Sequence, residues 1–226
     1  MSLVYVFDVN ETLLDLKALD PYFEQRFGSA ALRSVWFGQM LQSALVATIT
    51  NVYADFGALG VAALSMLAER QHIQISEQDR QALRDGMQHL PSHPDVPGGL
   101  AMLRQAGLRL AALTNSTAQV GEAQLTNSGL RDYFEQVLSA DTVKRLKPAQ
   151  EPYHMAAERL GVSIEKVCLV AAHSWDIAGA LRAGCQAAFI ARPGMVLDPL
   201  VERPAIVGAN LQEVATKILA REQIVH

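Results

Sequence analysis

The chain has 226 residues, half of them hydrophobic and 19% charged, the composition of a folded globular protein. Its formal charge of −4 offers no basic field for nucleic acid, and no run approaches the roughly 20 apolar residues of a membrane span. The N-terminal apolar run has no basic leader and stops at Asp8, and Cys168 and Cys185 read as buried thiols, so a soluble cytoplasmic protein is expected.

The first element is a strand, "VYVF", ending in Asp8. From Pro21 to Pro91 there is no proline between, and apolar residues recur at helical spacing, as in Leu41, Leu45 and Ile49 or Leu59, Ala63 and Leu67. Ser76 with Asp79 resembles a capping box. "LPSHPDVPGG" reads as a return linker. Pro97 then opens a helix that Gly107 ends, and "LRLAAL" (Leu108 to Leu113) is a strand. A "TNST" turn, a helix to about Ser128, a short strand at Gln136 to Leu138 and a helix from Gln150 to Leu160 follow. "VCLVAA" (Val167 to Ala172) lacks alternation, as a strand buried on both faces should. Trp175 to Ala183 is a helix, "AAFIA" a further strand, and Leu211 to Arg221 the last helix. The expected fold is α/β: a Rossmann-like three-layer core with a parallel sheet, residues 1–14 and 94–226, and an all-helical cap subdomain, residues 15–93, inserted after the first strand.

In such sheets ligands sit at the carboxyl ends of the strands, so the polar residues there are the candidates. Asp8 is one, and the backbone N–H groups of Val9 and Asn10 beside it suit an anion; a carboxylate capping the next helix is the competing reading. Thr114 and Asn115 follow the second predicted strand and suit a carboxylate or phosphate, or a cap for a helix beginning near Ser116. Lys147 precedes Pro148, which keeps it out of a helix; near Asp8 it would hold that carboxylate ionised, and otherwise it is a solvated lysine. Tyr153 lends a hydroxyl or fills the core. Asp176 opens a helix, where the macrodipole favours an acid, and His173 is the histidine at a strand end. His89 and His93 are separated by Pro91, which argues against a metal pair.

The chain order D-x-N-x-T, T-N, K-P and a helix-opening D, each after a strand, resembles the haloacid dehalogenase superfamily across essentially the whole chain. "VW" followed by "YADF", then "LTN", "LKP" with Tyr153, and "WD" are most similar to its type II (L-)2-haloacid dehalogenases. The resemblance implies a hydrolase of small 2-substituted carboxylic acids, without cofactor or metal, and a homodimer. Asp8 would be the nucleophile forming an aspartyl ester, oriented by Thr12 and supported by Lys147 with Tyr153 behind it. Asp176 with His173 would position and activate water. Thr114 and the backbone of Val9 and Asn10 would hold the substrate carboxylate. Asn115, Phe56 and Trp175 match residues lining the halide and side-chain pocket.

Most of the superfamily transfers phosphoryl groups, and two residues argue against that here. Phosphatase members carry an acid where Asn10 stands, to protonate the leaving alkoxide; a halide needs no proton. Ala172 stands where a further magnesium-binding acid is expected. There are also departures from the dehalogenases: Phe37 replaces an arginine after Trp36, Glu11 replaces a glycine before Thr12, and His173 replaces an amide. Arg33, near one helical turn before Phe37, is a weak substitute for that arginine, because its side chain leaves the helix in a different direction. A divergent phosphohydrolase and a catalytically silent binding module are the alternatives.

Overall fold

A computed structural model describes residues 3–223. The chain enters through β1 (Val4–Phe7), whose β-branched and aromatic side chains are all buried. It then turns away from the sheet into α1 (Asp20–Phe27), α2 (Leu32–Ile49), α3 (Phe56–Arg70) and α4 (Glu77–Gln88). The starts of the last two helices are written locally: Asp55 accepts from the Ala58 N–H, and Ser76 and Asp79 form the reciprocal capping box. The outgoing and returning chains lie side by side, with the Asp15 N–H donating to Pro91 O at 2.8 Å and the His93 N–H to Leu13 O at 2.9 Å.

The rest alternates strand and helix: α5 (Val96–Gln105), β2 (Arg109–Thr114), α6 (Ala118–Asn127), β3 (Gln136–Ser139), α7 (Gln150–Leu160), β4 (Val167–Ala171), α8 (Ser174–Arg182), β5 (Gln186–Ile190), β6 (Ile206–Gly208) and α9 (Leu211–Gln223). All neighbouring strands are parallel, in the order β3-β2-β1-β4-β5-β6. Side chains alternate across the sheet. Tyr5 and Phe7 pack with residues of α5, α6 and α9 on one face, Val4 and Val6 with those of α7 and α8 on the other. This is the expected three-layer α/β fold. Its strand order reverses between β1 and β4, which is where such sheets open a crevice for ligands.

Two local expectations change. Residues 206–208 form an unanticipated edge strand, paired with β5 from Ala188 to Ile190. In α2 the buried face carries Arg33, Trp36, Phe37, Met40 and Ala44. Leu45 and Ile49 point outward, at 40% and 77% exposure, and Val35 and Val46 are exposed with them. The helix is apolar nearly all round, so spacing alone could not choose its inner face. Both cysteines are free and buried, and among the described residues no helix is long and apolar enough to cross a membrane.

Candidate active site

Asp8 leaves the end of β1, its N–H still paired with Val170 O of β4 at 3.1 Å. It does not cap a helix. Its Oδ1 accepts from Lys147 Nζ at 2.9 Å, and its Oδ2 from the Thr12 hydroxyl at 2.7 Å. His173 Nδ1 lies 3.2 Å from the same Oδ2. Thr12 Oγ1 in turn accepts the Ala172 N–H at 2.9 Å, joining the loop after β1 to the end of β4.

Lys147 is no surface lysine. Its ammonium is fully buried and donates to Asp8, to Leu113 O at 2.9 Å and to Asp176 Oδ2 at 2.6 Å. Three acceptors satisfy the three protons of an ammonium, the arrangement a buried cation needs. Its backbone is clasped by Asn115: the Lys147 N–H donates to Asn115 Oδ1 at 2.8 Å and Asn115 Nδ2 to Lys147 O at 3.3 Å. The cap of α6 is Thr117, not Thr114 or Asn115, which frees the Asn115 amide for this clasp. Thr114 Oγ1 accepts from the Ser116 N–H at 3.1 Å.

Asp176 is buried in the first turn of α8, and its second oxygen accepts from the Tyr153 hydroxyl at 2.5 Å. Gly179 makes that contact possible. A Cβ there would come within 2.6 Å of the Tyr153 hydroxyl and 2.8 Å of Pro148 O.

His173 sits between two carboxylates, with Nε2 2.9 Å from Glu11 Oε2 on the side away from Asp8. Ionised carboxylates only accept, so both ring nitrogens must donate and the ring is an imidazolium. Burial opposes that charge, but the bonds to Asp8 and Glu11 outweigh it and lift the pKa from 6.5 to about 9. Burial likewise opposes ionisation of Asp8, and the Lys147 and His173 charges hold it well below the usual carboxylate range. Asp176 moves the other way, raised by burial and by the nearby Asp8 charge. Burial and the Asp176 carboxylate raise the Tyr153 hydroxyl far above its ordinary value. The site therefore holds one carboxylate kept charged beside one whose burial favours its proton.

With this geometry, the comparisons with known proteins have one reading. The family model for haloacid dehalogenase-like hydrolases matches residues 3–184. The chain belongs to this family. The hydrolase is 32% identical to (S)-2-haloacid dehalogenase 4A of Burkholderia cepacia over 195 residues, covering 84% of this chain and 83% of that one. It is 28% identical to haloacetate dehalogenase H-2 of Moraxella sp. (strain B), covering 88% and 89%. Its fold matches the L-2-haloacid dehalogenase of Xanthobacter autotrophicus with chloropropionic acid covalently bound, at TM-score 0.90 and 24% identity, over 97% and 99% of the two chains.

Most of the residues singled out in the hydrolase sequence converge. Asp8, Thr12, Lys147, Tyr153, His173 and Asp176 form one bonded cluster, with Asn115 behind Lys147. Trp175 stacks on His173 at 5.0 Å between ring centroids, and Phe37 lies 6.0 Å from it on the side of α2. The Trp175 indole N–H is buried without a partner among the described residues. The N–H groups of Val9 and Asn10 meet no protein acceptor there either.

Two residues fall elsewhere. The Asn10 side chain turns to α6, its oxygen accepting from Gln124 Nε2 at 3.0 Å, so only its backbone faces Asp8. Phe56 lines a separate cleft of about 550 Å³, walled by Trp36, Met40, Met87 and Val120 and closed by Ser116 and Thr117. None of Asp8, Lys147, His173 and Asp176 borders it.

Two contributors escaped the motif reading. Glu11 was noted only as a departure, yet it binds His173. Arg192, after β5, donates to Thr12 O at 2.8 Å and pairs with Asp95, pinning the loop after β1. Arg33 does not stand in for the missing arginine: its Nη1 is 3.5 Å from Glu11 and its Nε 2.5 Å from Asp20.

Proposed function

We propose that this hydrolase dehalogenates small 2-haloacids, most readily those of (S) configuration and with inversion, through an ester on Asp8. The observation that carries the reading is the Asp8 carboxylate, buried, kept ionised and fixed by Lys147, Thr12 and His173. The names of its relatives, (S)-2-haloacid and haloacetate dehalogenases, point the same way.

In this reading Asp8 attacks the carbon bearing the halogen, and the halide leaves as a stable anion needing no proton. The backbone N–H groups of Val9 and Asn10, with Thr114, bind the substrate carboxylate; Phe37 and Trp175, on either side of His173, flank the rest, with the Trp175 N–H free to donate. The positive charge that Phe37 does not supply on the leaving-group side comes from the His173 imidazolium, which the Phe37 ring faces. Water positioned by Asp176 and His173 then opens the ester at Asp8.

Metal independence fits the donor set. Lys147 Nζ already bridges the Asp8 and Asp176 carboxylates, at 2.9 and 2.6 Å, and balances the charge that would attract a divalent ion, and Ala172 adds no oxygen. Residues 15–93 serve as the cap that shuts water out. The outward apolar face of α2 is the natural contact of a homodimer, and the two buried free thiols suit the reducing cytoplasm.

The test is halide release from (S)- and (R)-2-chloropropionate in EDTA, with H₂¹⁸O and mass spectrometry of the Asp8 peptide. Preferential release from the (S) acid, ¹⁸O in Asp8 after several turnovers, and no turnover by Asp8→Asn are expected. Strict magnesium dependence, or hydrolysis of p-nitrophenyl phosphate in place of halide release, overturns the reading.

A further inference from the structure

Glu11 has φ +61°, a left-handed conformation that glycine adopts freely and a glutamate holds only with strain. Its backbone is nevertheless pinned there. Its N–H donates to Leu14 O at 2.9 Å, and His93 Nε2 lies 3.1 Å from its carbonyl oxygen. The conformation delivers a side chain, only 15% exposed, whose Oε2 meets His173 Nε2 at 2.9 Å and whose Oε1 is 3.5 Å from Arg33. Strain held by flanking bonds and spent on one buried contact to a site residue calls for a use of that contact.

The choice of base in the hydrolytic half-reaction supplies it. Both Asp176 oxygens are engaged, one by Lys147 and one by Tyr153. His173 Nδ1, in contrast, faces the Asp8 carboxyl directly. We infer that Glu11 is a positioning residue for ester hydrolysis, holding His173 through Nε2 so that Nδ1 serves as the base that activates water against the Asp8 ester. The inference rests on the ester route proposed above and adds a residue and a division of labour to it.

The steps balance. Asp8 forms a C–O bond as the carbon–halogen bond breaks, and the halide leaves with the bonding pair. Asp8 is then a neutral ester, and one of the two anions that kept His173 an imidazolium is gone. Nδ1 releases its proton to solvent, the one proton the overall reaction produces. Neutral Nδ1 next takes a proton from water as the water oxygen bonds to the Asp8 carboxyl carbon. The tetrahedral adduct expels the alkoxide of the hydroxy acid, which takes that proton back. The newly formed Asp8 carboxylic acid finally protonates Nδ1, restoring the ion pair. Throughout, Glu11 accepts from Nε2–H and fixes the tautomer, as the orienting carboxylate does in a Ser–His–Asp triad. Among charged groups, Asp8 and Glu11 face the ring directly, with Lys147 and Asp176 beyond Asp8 and Arg33 beyond Glu11; Phe37 and Trp175 present only uncharged ring faces.

Two variants test this, Glu11→Gly and Glu11→Gln. Glycine relieves the backbone and offsets part of the loss of the contacts to His173 and Arg33, so the first variant should fold, which its melting temperature checks. With (S)-2-chloropropionate, both should release a stoichiometric burst of halide at near-parental rate. Both should then hydrolyse the ester at least about tenfold more slowly, so that the modified Asp8 peptide accumulates in the mass spectrum. With its carboxylate partner gone, the His173 proton is lost more easily. The midpoint of the pH profile for ester hydrolysis should therefore fall in Glu11→Gln, a shift that a purely structural role does not produce. Parental hydrolysis rates with an unmoved midpoint, or equal slowing of burst and hydrolysis in both variants, overturn the inference while the ester route stands. A parent enzyme that yields neither halide nor a labelled Asp8 overturns the ester route itself.

Discussion

Replacing Lys147 with Met keeps the length and volume of the stem and deletes the cation. Lys147→Met leaves two buried carboxylates, formerly held 2.9 and 2.6 Å from one ammonium, facing each other across an apolar side chain. Removing one partner from a buried ionic cluster costs about 3–5 kcal/mol. At about 2–4 °C per kcal/mol for a chain of this size, the melting temperature falls by roughly 10 °C. The protein should still fold, since domains carry about 5–15 kcal/mol. The pH dependence distinguishes this account from a packing defect. In the parent, Asp8 is held below its unfolded value, so its contribution to stability is present above that value and is lost only in acid. Asp176 is already raised by burial and by the Asp8 charge, and without the lysine it rises further. A raised carboxyl favours the protonated folded state, so acidification stabilises the variant relative to the parent. Urea denaturation of both proteins from about pH 8 to about pH 5 should show the gap narrowing as pH falls. Turnover should drop by about two orders of magnitude and acquire a new acid limb. Parental turnover, or a gap constant across that range, refutes the account.

Two further outcomes follow from separate features. His173 has its folded pKa raised from 6.5 to about 9, so its contribution, about 3 kcal/mol, is complete below the unfolded value and lost as pH rises through about 9. Denaturation midpoints should decline over that window in the parent, and His173→Asn should abolish the decline; a parent that shows no such decline contradicts the imidazolium. If the face of α2 joins two copies, Leu45→Glu with Ile49→Glu should halve the mass measured by light scattering while the monomer stays folded; a dimer that survives the pair of charges places the contact elsewhere.

Much of this architecture was legible because parallel strands are buried on both faces and so appear as unbroken apolar runs, each followed by its polar residues. That places Asp8, Thr114, His173 and Asp176 at one sheet edge before any coordinates are known. What remained hidden depended on direction. β6 is three residues long and lies close after Pro204, giving no run to recognise. The Leu41–Leu45–Ile49 spacing identified a helix correctly but not its buried side, because apolar residues surround α2. Glu11 carried no signal of its role, since its reach to His173 follows from a left-handed backbone that its residue type disfavours. Gly179 and Arg192 act through close approach and through a main-chain carbonyl, neither of which has a sequence signature.

The single hydroxyl of Thr12 has a consequence for how Asp8 can react. Because Thr12 Oγ1 accepts the Ala172 N–H, its one hydrogen is directed to Asp8 Oδ2. A carboxylate oxygen has two in-plane lone-pair directions. On Oδ2 one faces Thr12 and the other His173, so that oxygen is saturated. Among the described residues Oδ1 meets only Lys147 and retains one open direction. The two oxygens of a chemically symmetric group are thereby made unequal, and an electrophilic carbon can reach an unshared electron pair from one side alone.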